Sequence, residues 1–134
     1  MATNIFLNLP VKDLNKSVEF FTKLGYTFNQ QFTDANATCM IISDTIYVML
    51  LVESYFQTFT TKQIVDANKS CEALLGLSAE SKEAVDKLAD KAISAGGVEP
   101  KPAQDLGFMY SRSYNDLDGH TWEIFWMNPN HVQG

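Results

Sequence analysis

One order of structural segments occurs twice in this chain, and this repeat constrains the fold more than any other feature. In each half a short apolar segment typical of a strand precedes a helical pattern, and three further strand-like segments follow. The helical patterns begin after Asp13 and Ser81, which are plausible N-caps, and they end at Gly25 and at Gly96. Each helix can cover only one face of its own small sheet. We therefore predict an α+β fold of two β-α-β-β-β modules related by pseudo-twofold symmetry, with cupped mixed or antiparallel sheets.

Turn residues set the boundaries of these segments within what we predict to be a single domain, residues 1–134. Module 1 is expected at about 1–52 and module 2 at about 71–134. The connector 53–70 is too apolar for a free linker, and we expect it to pack on a sheet. The helices are predicted at 14–24 and 82–94. The predicted strands are 5–11, 26–32, 37–42 and 45–51 in module 1, and 73–77, 98–102, 108–114 and 121–127 in module 2.

Composition excludes several classes of protein. An apolar content of 46% with 19% charged residues is ordinary for a globular chain. The longest apolar run, Ile46–Val52, is too short to span a bilayer, and the first residues do not resemble a signal peptide, so we expect a cytoplasmic protein without a membrane partner. The isolated Cys39 and Cys71 suit a reducing compartment, as small core residues. A net charge of −6 with Arg112 as the only arginine argues against a nucleic-acid partner.

The most specific local pattern lies near the C-terminal end. Residues 115–119, Asn-Asp-Leu-Asp-Gly, are typical of a hairpin turn. Beyond the turn, period-two alternation places Trp122 and Ile124 on one face of a strand and Glu123 and Phe125 on the other. A carboxylate among aromatic neighbours is costly to bury without a partner. Glu123 is therefore the first candidate functional residue.

Two segments of the paired modules, NLPVKDLNKSVEFFTKLG and NDLDGHTWEIFW, resemble the vicinal oxygen chelate superfamily. This group includes glyoxalase I, bleomycin-resistance proteins, fosfomycin-resistance enzymes and extradiol dioxygenases. The resemblance covers essentially the whole chain, and more narrowly the chain looks like bacterial proteins labelled "predicted lactoylglutathione lyase". It implies a ligand or metal site in the concavity of each cupped sheet, and usually a homodimer.

In the metal-dependent relatives, each of four strands supplies one histidine or glutamate ligand to a divalent ion. Only Glu123 is of ligand type among the matching positions, and a shift by one residue adds only Glu72. His120 lies beside the turn and, three residues from Glu123 in a strand, would point to the opposite face. We therefore expect no metal cofactor. The matching positions are Phe6, Val48 or Met49, Ala73 and Glu123.

Several residues have both a functional and a structural interpretation. Glu123 is a catalytic base or anchoring carboxylate, or else a carboxylate bonded to backbone or to Arg112. Arg112 is a clamp for a ligand carboxylate or phosphate, the partner of Glu123, or part of a dimer rim. Asn8 breaks an apolar strand, either as a ligand hydrogen-bonding group or as an ordinary backbone-bonded asparagine. The remaining candidates for the lining of the cup are Phe6, Met49 and Phe125.

Three functions remain open. The first is a metal-free homodimer that binds a small molecule in its concave sheets, where the acidic net charge favours a cationic ligand. The second is a metal-independent enzyme with Glu123 as general base and Asn8 or Arg112 positioning the substrate. The third is a glyoxalase-like lyase or isomerase with an unconventional metal site that includes, for example, Glu72.

Overall fold

Two four-stranded sheets, one in each half of the chain, form the framework of the protein. The computed structural model describes residues 2–131, and the two units that hold these sheets divide between Val65 and Asp66. The first unit consists of β1 (Ile5–Val11), α1 (Leu14–Lys23), β2 (Thr27–Asn29), β3 (Ala37–Ile41), β4 (Ile46–Val52) and α2 (Glu53–Phe56). The second consists of β5 (Leu74–Ser78), α3 (Lys82–Ser94), β6 (Gln104–Asp105), β7 (Met109–Asn115) and β8 (Thr121–Met127).

Both sheets have the same topology. The strand orders are β1-β4-β3-β2 and β5-β8-β7-β6, so the first strand of each unit lies at an edge. It pairs in parallel with the last strand, and all other pairs are antiparallel. The predicted α+β class with two β-α-β-β-β modules is confirmed. Among residues 2–131, no helix is long and apolar enough to cross a membrane.

The predicted caps fix where the two longer helices begin and end. The Asp13 carboxylate accepts a hydrogen bond from the Lys16 amide at 3.1 Å, and the Ser81 hydroxyl accepts one from the Ala84 amide at 3.0 Å. Each bond satisfies one amide that lacks a partner in the first turn. Beyond the C-terminal ends, Gly25 adopts a positive φ of 105°, a conformation that stops a helix.

Burial distinguishes the two faces of the first sheet. The odd-numbered residues of β1 point toward the core, where Leu9 and Val11 are buried, and on β4 Val48 and Leu50 share that side. The amphipathic α1 contributes the other part of this core. Its buried residues are Leu14, Ser17, Phe20 and Phe21.

The second sheet buries its aromatic side against α3. Tyr114 on β7 and Trp122 on β8 are both fully buried, and their rings stack with centroids 6.2 Å apart. Ile124 is buried beside them, as the alternation predicts. The helix supplies small side chains to this core, which let it approach the sheet closely. They are Val85, Ala89 and Ala92.

The predicted strand at 98–102 is wrong. In this segment Val98 forms only an isolated bridge with Asn115, and the strand that pairs with β7 is the shorter β6. Pro100 and Pro102 lack the amide hydrogen that a sheet ladder requires and also fix φ, so the segment cannot pair continuously. The repeat of the first half predicted a strand at this place after the helix, but the two prolines decide the structure.

Two further segments differ from or extend the prediction. β2 ends at Asn29 rather than at residue 32, because the Asn29 side chain accepts a hydrogen bond from the Gln31 amide at 3.0 Å and starts a 3₁₀ turn. Part of the predicted connector continues from β4 as α2, followed by a second 3₁₀ turn at Gln57–Phe59. α2 contacts β1 and β4, so this part of the connector does lie against a sheet.

Candidate functional site

Glu123 lies on the face of the second sheet that points away from α3, here called the second open face. On β8 it alternates with the buried Trp122 and Ile124, so the predicted face of its side chain is confirmed. The register places Gly76 of β5 on one side of Glu123 and Ser113 of β7 on the other. One step along the strands, the corresponding row is Ser78, Phe125 and Ser111.

Two polar groups contact the carboxylate of Glu123. The buried Ser113 hydroxyl donates a hydrogen bond to Oε2 at 3.2 Å, and the Lys101 Nζ lies 3.4 Å from the same oxygen. The Glu123 side chain is 21% exposed and that of Lys101 is 52% exposed. Within residues 2–131 the second carboxylate oxygen, Oε1, has no partner. The site therefore offers an acceptor and a cationic donor next to each other.

Arg112 does not pair with Glu123, so this predicted alternative is wrong. Its guanidinium lies on the side of the second sheet that faces α3, where Nε and Nη2 bind Glu99 at 2.9 and 3.3 Å. Nη1 binds Asp90 at 2.8 Å and Asp86 at 3.1 Å. The hydrogen bonds that Arg112 donates to these carboxylates, those to Glu99 first, raise its pKa above the ordinary value. Because it lies on the opposite face, its predicted place in the cup beside Glu123 is not supported.

Arg112 instead belongs to a network that holds α3 on the sheet. The Tyr110 hydroxyl donates to Asp86 at 2.6 Å, and this hydrogen bond raises the pKa of Tyr110. The sequence analysis missed Asp86, Asp90 and Glu99. Their signal was available, since two carboxylates four residues apart on one helix suit a single arginine on a neighbouring strand.

The corresponding face of the first sheet, the first open face, is apolar and aromatic. The Phe6 ring of β1 stacks on the Tyr47 ring of β4, with centroids 4.9 Å apart and planes 14° from parallel. Phe6 is nevertheless 52% exposed. Asn8, the next residue on this face, is exposed, and its amide donates only a weak bond to the Phe6 carbonyl at 3.3 Å. Met49 lies in register with Asn8, so it is Met49 and not the buried Val48 that reaches this face.

The two cysteines differ in their environment. Cys39 lies in register with Met49 and is buried, and burial raises the pKa of its thiol. Cys71 is exposed, so its predicted place in the core is wrong. Both are free thiols.

The turn between β7 and β8 depends on a buried carboxylate that the sequence analysis did not single out. Asp116 accepts hydrogen bonds from the Asp118 amide at 3.0 Å, the His120 amide at 3.0 Å and the Trp122 indole at 2.9 Å. Burial raises the pKa of Asp116, while the neighbouring charge of His120 opposes the rise. His120 lies in this turn, as predicted, and not beside Glu123.

The residues of the candidate site do not fit a divalent ion. In the part of the chain that the structure describes, no group of three histidine, cysteine, aspartate or glutamate side chains is arranged to hold a metal ion. Glu72 and Ala73 are exposed and precede β5, while Phe6 and Met49 offer no metal ligand. The ammonium of Lys101 beside Glu123 would also repel a cation. The expectation of a metal-free protein remains a prediction, to be tested by elemental analysis.

Comparisons with known proteins agree with this fold. The bleomycin resistance protein-like N-terminal family matches residues 3–43. A hypothetical protein from S. aureus is 27% identical, with a TM-score of 0.79 over 94% of this chain and 95% of that one. A glyoxalase/bleomycin resistance protein/dioxygenase family enzyme from Burkholderia phytofirmans is 17% identical, with a TM-score of 0.79 over 94% and 99%. A genomically encoded fosfomycin resistance protein from Listeria monocytogenes is 18% identical, with a TM-score of 0.67 over 94% and 93%.

No curated protein is significantly similar to the chain in sequence. The predicted resemblance to the vicinal oxygen chelate superfamily is nevertheless confirmed, in sequence over residues 3–43 and in fold over almost the whole chain.

Proposed function

We propose that this chain, which has a glyoxalase/bleomycin-resistance-like fold, binds a small molecule with a flat aromatic group on its first open face, without a metal. The observation that carries the proposal is the exposure of Phe6, a large ring that is 52% exposed although it stacks on Tyr47. An exposed aromatic surface of this kind is typical of a recognition site. The donor set around Glu123, which does not fit a divalent ion, supports the metal-free part of the proposal.

Three properties of this face define the ligand. A ring stacked on Phe6 contributes about 0.5–1.5 kcal/mol beyond the area that it buries. The Asn8 amide beside the ring pair offers a donor and an acceptor that fix the ligand's orientation. The net charge of −6 attracts a cation over long range. The expected ligand therefore carries a flat aromatic group and a positive charge.

Metal-free bleomycin is a suitable probe, because it is cationic and carries a flat pair of thiazole rings. We expect titration calorimetry to detect its binding to the wild-type protein, and we expect the Phe6→Ala variant to weaken this binding about tenfold. Phe32→Ala is the matched control. Phe32 is also a highly exposed phenylalanine of the first unit, but it lies in the 3₁₀ turn outside the strands.

Two results would contradict the proposal. One is the absence of bleomycin binding to the wild-type protein. The other is an equal loss of affinity in the two phenylalanine variants, which would mean that the stacked pair is not the binding surface.

A metal-independent lyase or isomerase with Glu123 as general base is the second candidate. It is favoured by the position of Glu123, which is partly exposed on the second open face and has one unpartnered carboxylate oxygen. Arg112, which was predicted to position the substrate, faces α3 and so does not lie beside Glu123. The test is turnover of the hemithioacetal of methylglyoxal and glutathione in metal-free buffer. The enzyme hypothesis expects turnover that Glu123→Gln abolishes, and no turnover by the wild-type protein would leave only the binding function.

A further inference from the structure

Gly76 has no conformational reason to be a glycine. It lies in the middle of β5, directly beside Glu123, and it is not among the glycines with positive φ. A Cβ built at this position would meet only Phe125 Cε1 within 4 Å, at an ordinary contact distance of 3.7 Å. Glycine weakens a strand, and in a strand interior it often marks a place where a ligand approaches the backbone closely. Gly76 thus places no side chain next to the Glu123 carboxylate, at a cost in the stability of the strand.

The ion pair beside this space has unused hydrogen-bonding capacity on both partners. The Lys101 ammonium has three N–H donors, and within residues 2–131 its only partner is Oε2 of Glu123, at 3.4 Å. Oε1 of Glu123 has no partner in the same part of the chain, because the Ser113 hydroxyl also binds Oε2. Lys101 is 52% exposed, so its free donors are accessible.

We propose that Lys101, Glu123 and Gly76 form a binding site for the zwitterionic headgroup of an α-amino acid. This proposal goes beyond the proposed function, which concerns the first open face, and assigns a separate ligand site to the second open face. The ligand carboxylate accepts from Lys101, and the ligand ammonium donates to Oε1 of Glu123. Both bonds would be charge-assisted and about 2.8 Å long.

The neutrality of the pair selects a zwitterion over a singly charged ligand. An anion gains from Lys101 but is repelled by Glu123, and a cation meets the reverse arrangement. A zwitterion adds two opposite charges to the existing two and forms a ring of alternating charges without breaking the ion pair. Phe125, the next residue of β8 on this face, offers an apolar contact for the ligand's side chain.

Three probes that share one alkyl chain test this proposal. They are L-leucine, 4-methylpentanoate, which lacks the amine, and 3-methylbutylamine, which lacks the carboxylate. In amide NMR titrations at millimolar concentration, we expect L-leucine to shift the signals of Gly76, Ser113 and Glu123. We expect both single-charge analogues to bind at least about tenfold more weakly.

The variants separate binding from folding. Gly76→Val should abolish L-leucine binding and leave the melting temperature equal or higher, because valine favours strands and its Cβ would meet Phe125 only at an ordinary contact distance of 3.7 Å. Lys101→Met and Glu123→Gln should each weaken binding at least about tenfold. Lys82→Met is the matched control, because it removes another exposed ion pair of this unit, the one with Asp105, and it should bind L-leucine like the wild type.

The following results would overturn the proposal. L-leucine fails to bind the wild-type protein, or 4-methylpentanoate binds as well as L-leucine, or Gly76→Val lowers the melting temperature and so has a structural role. If L-leucine fails while bleomycin still binds through Phe6, the headgroup site is wrong and the proposed function stands. If both probes fail, the proposed function is wrong as well.

Discussion

Asp116 organises the β7–β8 turn through a single buried side chain. Its carboxylate accepts from two backbone amides and from the indole of Trp122. Asp116→Ala would leave them without this acceptor, so we expect a loss of about 2–3 kcal/mol in the free energy of unfolding, measured with urea. Asp44→Ala is the control, since Asp44 is an exposed turn residue of the other sheet. Equal stability of the two variants would contradict this role.

The same carboxylate makes stability depend on pH. Burial raises the pKa of Asp116 above the ordinary value of 3.8 that it has in the unfolded chain. Between these two pKa values the folded protein binds more protons, so stability falls as pH rises and then becomes constant above the folded pKa. We expect the unfolding free energy of the wild type, relative to Asp116→Asn, to decrease as pH rises from 3.8. The opposite slope would mean that the three hydrogen bonds outweigh burial.

For single residues, the sequence predicted faces better than partners. Alternation along β8 placed Glu123 opposite Trp122, which is correct because a strand has a fixed period. The partner of Glu123, in contrast, lies outside the strands, where this period does not apply. Lys101 lies among prolines in a segment without regular pairing, so no pattern indicated its contact. The sequence analysis considered Arg112, the sole arginine, as this partner instead. Arg112 shares a strand face with Tyr110, however, and both side chains lie on the side that faces α3.

The β7–β8 hairpin depends on a close contact at its turn as well as on the strands. Gly119 has a φ of 89°, and a Cβ there would lie 2.5 Å from Asn68 Oδ1 and 2.9 Å from the Ala67 carbonyl carbon. Gly119→Ala must therefore both strain the backbone and displace residues of another segment. We expect a loss of stability of well over about 1 kcal/mol, the usual cost of strain alone.

Gly107→Ala is the matched control for this element. Gly107 has a similar φ of 83°, but a Cβ there would meet nothing within 4 Å, so its substitution costs only the strain. The difference between the melting temperatures of the two variants measures the steric contact. Equal melting temperatures would mean that residues 67–68 move aside without a loss of stability.

The first helix and the strands beside it show which elements a sequence can specify. α1 begins after Asp13 and β1 spans Ile5–Val11 as predicted, because caps and periodicity are local signals. β2 was predicted too long, and β6 was predicted at the wrong position. Their ends are decided by the Asn29 side chain and by prolines, which compete with pairing at single positions.

For the whole molecule, the repeat in the sequence was enough to predict the topology but not the difference between the two sheets. The open faces have diverged in chemistry while the strand order is the same. In the first sheet Asn8 pairs in register with Met49, and in the second Gly76 pairs in register with Glu123. The sequence placed Met49 and Glu123 on these faces. For β5, however, it placed the residue of the open face at Ala73, which precedes the strand, because no turn residue marks where β5 starts.

Association into a homodimer remains the prediction for the intact protein. β1 and β5 are edge strands, and each exposes large apolar side chains, with Ile5 54% and Leu74 59% exposed. Exposed edges of this composition are unfavourable in water unless another chain covers them. We expect light scattering at micromolar concentration to give twice the chain mass, and Ile5→Lys or Leu74→Lys to give the monomer. Leu117→Lys, at an exposed leucine of the β7–β8 turn, should remain dimeric. A monomer mass for the wild type would contradict this prediction. It would mean that both edge strands stay exposed to water, protected only by their short length.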